Sequence, residues 1–394
     1  MNTLIYLDNS TTARPSDKVV SQMLPYWTTQ WGTPSVPHQK GQELFPSLTS
    51  YYQSLYKFIG IHEEDQLILT SSGAEAVNHV MFTVYRDYTL PTGKNQFLAA
   101  QTDEAAAILA IGRLESLGCI GKMIPVNAQG IVTPEALADM ISPRTVLVSL
   151  SWANGLTGVI QPLKEIAALC KQRDIRLHVD ATHVLGKLMY DLDELGIDYL
   201  TFNGDQLHGP RGTGILVIRQ GIKCSPLIAG GADQGGLRAG ALNMAGLAGL
   251  ACAAQEALDC RDLLCTETAR LRDQLERGIQ KRMPQVQVCF KEQERLPHCT
   301  TLIFPEISNE ALLFALNRRG ICASMGGGNF QQLALLLTAT GIPETTAHSA
   351  LAFTLSRYTT EEEIERAVKI IVECAQSLTS VSSKIFQKNE SHES

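Results

Sequence analysis

Between residues 65 and 220, short β-branched and aliphatic runs alternate with stretches whose apolar positions recur at helical spacing. The strand-like runs fall at 66–70, 96–100, 122–126, 145–150, 176–180, 199–202 and 214–219. Helical patterns lie between several of them, at 74–88, 104–117, 134–140 and 163–173. This alternation predicts an α/β fold, with a large domain built on a mostly parallel seven-stranded sheet covered by helices on both faces. In such sheets ligands sit at the carboxyl ends of strands and against the N-termini of the following helices.

A long helical stretch over 245–283 leads out of this region. Strand-like 287–290 and 300–304, helical 309–318 and a glycine-rich loop at 326–328 follow it. Strand-like 351–355 then precedes a helix over 361–378, for which Thr359 and Thr360 supply capping hydroxyls. These elements predict a smaller α/β domain. The expected division is 15–255 for the large domain and 1–14 with 256–379 for the small one, with a polar, disordered tail over 380–394.

Composition narrows the function classes. A net charge of −7 gives no electrostatic reason to expect nucleic acid or an anionic membrane as partner. No apolar run approaches the roughly 18 residues of a membrane span. The first residues lack the basic and long apolar regions of a secretory signal. The ten cysteines are scattered without paired CxxC spacing, which points to reduced thiols in a cytoplasmic protein.

Six ordered segments carry the chemistry. Residues 6–12 read Tyr-Leu-Asp-Asn-Ser-Thr-Thr, and 32–35 read Gly-Thr-Pro-Ser with His38 just beyond. Residues 178–182 read His-Val-Asp-Ala-Thr, and 199–214 read Tyr-Leu-Thr-Phe-Asn-Gly-Asp-Gln-Leu-His-Gly-Pro-Arg-Gly-Thr-Gly. Gly230 and Gly231 precede Gly-Leu-Arg-Ala-Gly at 236–240, and 356–363 read Ser-Arg-Tyr-Thr-Thr-Glu-Glu-Glu. Together, in this order and spacing, they resemble the class V aminotransferase and cysteine desulfurase (NifS/IscS-like) family from about Tyr6 to Val372. The resemblance implies the type I fold of pyridoxal 5′-phosphate (PLP) enzymes and a homodimer.

It also implies which positions should carry catalysis, and most hold something else. Gln206 stands where the family has the lysine that binds PLP covalently, and a carboxamide has no basic lone pair to condense with an aldehyde. Asp180 matches the carboxylate of the pyridine nitrogen. Glu104 replaces the ring-stacking histidine, and His183 replaces a glutamine beside the ring. The phosphate cup falls on Gly73, Ala74, Glu75, Asn203 and Asp205, Gly155 replaces a ring-side asparagine, and Ala241 a threonine donated across the dimer. Asn329 falls at the nucleophilic cysteine, and Ala352 at the substrate-binding arginine.

Two carboxylates, Glu75 and Asp205, are thus expected to face a doubly charged phosphate. A like-charge pair about 4 Å apart costs about 1 kcal/mol in water and about 4 kcal/mol at an effective dielectric of about 20. A helix N-terminus offsets only about 1 kcal/mol. The expectation is therefore that no cofactor is held. Lys187 is read as a structural lysine rather than a replacement, and Cys322 as a small buried side chain. Glu75, Glu104, Asp180, His183 and Asp205 would converge, yet no local metal motif accompanies them and no metal is expected. The resulting expectation is a pseudoenzyme that acts on a partner: an active desulfurase, a sulfur acceptor or a scaffold. The alternatives are a repurposed enzyme using the polar pocket and a protein that holds PLP non-covalently.

Overall fold

The computed structural model describes residues 4–327 and 331–390. Its centre is a seven-stranded sheet of β1 (Gln66–Thr70), β2 (Gln96–Ala100), β3 (Ile120–Ile124), β4 (Thr145–Ser151), β5 (Arg176–Asp180), β6 (Tyr199–Asn203) and β7 (Gly214–Ile218). The spatial order is β1-β7-β6-β5-β4-β2-β3. Only β7 runs against its neighbours, so β3, β2, β4, β5 and β6 form a parallel block. Buried Leu98, Val148, Leu177 and Val217 feed one apolar core, and Ile68, Phe97, Leu147 and Leu216 feed another. Burial on both faces explains why these strands read as continuous apolar runs.

The helical pattern expected at 74–88 is an α-helix, Gly73–Val84, that widens into a π turn over Tyr85–Thr89. The stretch expected as one helix over 245–283 is two, Met244–Asp259 and Arg261–Arg282, broken at Cys260. Ala257 of the first packs in the large core, whereas Leu271, Leu275 and Ile279 of the second enter a separate core. That second core is completed by Ile5, Leu7, Phe304, Leu316, Phe353 and Ile371.

The smaller unit holds an antiparallel sheet of β8 (Gln287–Val288), β9 (Cys299–Ile303) and β10 (Ala350–Thr354), with β9 in the middle. Its last helix spans Glu361–Glu390. A capping box opens it: Thr360 Oγ1 accepts from the Glu363 amide and Glu363 Oε2 accepts from the Thr360 amide. No helix among the described residues is long and apolar enough to cross a membrane.

The N-terminal segment joins the two units. Ile5–Tyr6 pairs with Ile321–Cys322 of the small unit. Asn9 donates from its side chain to the Thr354 carbonyl, and Ser10 and Thr11 then lie against Gln206 in the large unit. This crossing puts the main cavity between strand ends and small domain.

Candidate active site

A cavity of about 700 Å³ opens at the carboxyl ends of β4, β5 and β6. Strand register aligns its floor, because Ser151, Asp180 and Thr201 are partners across three adjacent strands. Of the residues singled out from sequence, Gly73, Ala74, Glu104, Asp180, His183, Asn203, Asp205 and Gln206 line it. Glu75 does not face it. Asn329 lies outside the described residues, so its place is not assigned.

Asp180 ends β5 and is half-buried, with Oδ1 accepting from the Thr182 amide at 2.9 Å. Burial raises its pKa above the ordinary carboxylate value; the Thr182 hydrogen bond opposes this, nearby Glu104 adds to it and His183 opposes it. Beside it, His183 Nε2 lies 3.3 Å from Glu104 Oε1 while Nδ1 has no partner. A Cβ added to Gly155 would sit 2.4 Å from the His183 ring, so the ring occupies the space that glycine leaves open. The exchanges at 155 and 183 are therefore one packing change. A larger ring requires a smaller neighbour.

Two further carboxylates frame the site. Asp103 is completely buried and accepts from the amides of Ala100 and Ser151, both at 2.7 Å, which ties β2 to β4. Desolvation pushes it up to about 7 despite those bonds. The pKa of Asp205 is also raised by burial, against the opposing pull of its own backbone, Thr12, Arg211 and His183.

Gln206 sits on the short 3-10 turn Asp205–Leu207 after β6. Its Nε2 donates to the carbonyls of Ser10 and Thr11, each at 3.3 Å, and its Oε1 is buried without a partner. The side chain thus ties the turn after β6 to the N-terminal segment. Lys187 does not line this cavity but a smaller one behind Gln206. Cys322 pairs in register with Tyr6, and burial raises its thiol pKa.

The helix end of the cavity corrects the electrostatic expectation. Glu75 Oε1 lies 3.0 Å from Arg238 Nε, and its other oxygen accepts from the Ser71 amide at 2.7 Å. Burial opposes ionisation, but Arg238 and Ser71 outweigh it and leave the pKa below the ordinary value. Glu75 is therefore an ionised but neutralised group turned from the cavity. Arg238 was visible in the motif at 236–240, yet nothing local linked it to a residue 163 positions earlier. Asn203 Oδ1 accepts from the Gly73 amide, and Ser72 caps the helix through the Glu75 amide at 3.1 Å. Of the five side chains expected to converge, Glu104, Asp180, His183 and Asp205 line the cavity, and Glu75 is held in its own ion pair instead. No group of three or more potential ligands is placed to hold a metal among the described residues.

The geometry agrees with the relatives. The Aminotransferase class-V family model matches residues 5–367. The chain is 35% identical over 382 residues to the cysteine desulfurase NifS of Azotobacter vinelandii, covering 96% of this chain and 94% of that protein. It is 34% identical over 383 residues to a cysteine desulfurase of Cereibacter sphaeroides, covering 96% and 97%. Among solved structures, a NifS-like protein superposes with a TM-score of 0.89 at 28% identity, covering 95% of this chain and all of that one.

These relatives overturn the expectation that the cofactor is lost. The likeness spans the whole pocket of a family whose cofactor is PLP. The physical objection fails too, because the charge of Glu75 is consumed by Arg238 and burial works against ionisation of Asp205. Asp180 lines the cavity floor, half-buried, where a pyridine nitrogen requires a carboxylate. The residues present fit the group.

Proposed function

The chain belongs to the class-V aminotransferase family and, within it, to the cysteine desulfurase family, and on that premise we propose that it is a member that takes no sulfur from cysteine and works by binding. The observation that carries this reading is Gln206: its amide clasps Ser10 and Thr11 where catalysis requires a movable amine. An amide is neither nucleophile nor base near neutral pH, so residue 206 cannot exchange protons with a substrate α-carbon.

When bound, PLP supplies an electron sink for carbanion chemistry on amino acids. In this chain Asp180 would hold the ring nitrogen, His183 and Glu104 would border the ring, and the start of the helix Gly73–Val84 would meet the phosphate. The pocket then serves as a ligand-dependent structural element. It joins the N-terminal segment, the strand ends and Gly326–Gly327 of the small unit.

Leu24, Trp27, Trp31 and Phe45 are exposed on the N-terminal segment, and large exposed apolar side chains mark contact surfaces. We assign this surface to dimerisation, with a second copy or with an active desulfurase, in the cytoplasm. The test is to incubate the purified protein with PLP and cysteine, following binding by absorbance and sulfide chemically. Saturable binding without sulfide supports the reading. Sulfide above the level from free PLP overturns it, and absence of binding removes the role given to the pocket. Native mass spectrometry, alone and after mixing with an active desulfurase, separates homodimer from mixed dimer.

A further inference from the structure

Behind Gln206, on the side away from the main cavity, lies a second cavity of about 30 Å³. It is lined by Lys187, His298, Gln206, His208 and Arg357, with Asn9, Ser356 and apolar side chains such as Leu264 and Leu355. Asn9, His208 and Arg357 have partners in the fold, but Lys187 and His298 do not. Lys187 is 9% exposed and its Nζ has no hydrogen-bond partner. His298 is 3% exposed, and neither of its ring nitrogens has one.

Among the described residues no carboxylate forms a hydrogen bond to the Lys187 ammonium. Cys299 and then Asp205 favour its charged form without forming a hydrogen bond to it, and Glu256 is already paired with Arg357 at 2.7 Å. A buried ammonium without a counter-charge is strongly unfavourable. The cost falls if the cavity holds an anion.

We propose that this cavity is a binding site for a small monovalent anion, seated between Lys187 and His298. Its volume exceeds the roughly 10–15 Å³ that one water requires but excludes phosphate or an amino-acid carboxylate. That limits the ligand to a halide-sized ion, mono- or diatomic, with at most one water. The apolar walls favour a weakly hydrated ion over a strongly hydrated one. The water donates to Gln206 Oε1, the remaining orphaned acceptor on the wall. The charge state agrees: burial lowers Lys187 to about 8, which leaves it protonated at neutral pH. Burial, and then Lys187, push His298 well below the usual imidazole range, so it is a neutral donor. Because Gln206 lines both cavities, the anion also stiffens the clasp to Ser10 and Thr11.

The test uses the full chain and sodium bromide. Thermal unfolding is measured as bromide replaces fluoride at constant ionic strength, and crystals soaked in bromide are examined for anomalous scattering. The proposal expects a saturable rise in the midpoint and an anomalous peak between Lys187 and His298, both lost in Lys187→Met. Without bromide, Lys187→Met should unfold no earlier than the wild type, since it removes an uncompensated buried charge. His298→Leu provides a second variant, expected to weaken the bromide effect while keeping the lysine. Equal bromide responses in wild type and Lys187→Met, or a cavity without anomalous density, overturn the proposal.

Discussion

The two ends of the main cavity have been rebuilt in different ways. At the strand end, Asp180 is half-buried, held by Thr182, and faces the cavity. At the helix end, Asn203 takes the Gly73 amide and Glu75 is closed into an ion pair with Arg238. One end keeps its chemistry available, and the other satisfies itself internally. Strand register fixes where Asp180 points, because a one-residue slip would turn it to the opposite face. The helix start has no such constraint, so new side chains there could find partners among surrounding loops.

That contrast is broken most strongly by giving the pocket back an amine. Gln206→Lys should change a protein with no borohydride-stable PLP adduct at residue 206 into one with a full adduct, read by intact mass and peptide mapping. A variant that binds PLP but never traps it would show that the geometry at 206 has drifted from the ring.

The next effect tests the strand end. Asp180→Asn should weaken PLP binding by about tenfold or more, the equivalent of about 1.4 kcal/mol. Unchanged affinity would remove Asp180 from the site.

At the helix end, Arg238→Ala leaves Glu75 nearly buried without its counter-charge, and should cost about 1–3 kcal/mol of stability in urea unfolding. The sign with pH follows from the depressed pKa of Glu75. The pair stabilises the fold above the unfolded carboxylate value of 4.5 and is lost as pH falls through the lower folded value. The variant should differ least from wild type in acid. A deficit that grows on acidification would contradict the pairing.

The last comparison concerns the sheet beneath both ends. His178 is buried between the hydroxyls of Ser149 and Thr201, at 2.8 and 2.9 Å, and burial lowers it to about 3. From 6.5 down toward that value the unfolded chain takes up a proton that the folded chain refuses, so stability falls as pH falls. His178→Asn should flatten that part of the slope. An unchanged slope would assign the acid sensitivity to other groups, such as His208, which burial lowers to about 4.

The sheet was legible because its strands are buried on both faces: 66–70, 96–100 and 176–180 carry the observed bounds of β1, β2 and β5. The N-terminal helices were not read, since Pro25–Thr28 and Gln39–Gln42 are only four residues each, too short for a periodic signal. The break at Cys260 was hidden because helical residues continue on both sides of it. In the site, Asp180 and Gln206 were read from local motifs. The role of Glu75 was misjudged because charge was counted along the chain, whereas its partner lies across the fold. The anion-sized cavity behind Gln206 had no local signature, since Lys187 and His298 meet only through packing.

The most direct test of the account is sulfide release from cysteine by the purified protein saturated with PLP. The account predicts bound PLP with no sulfide above that from the free cofactor. Catalytic, protein-dependent sulfide with Gln206 in place would contradict it.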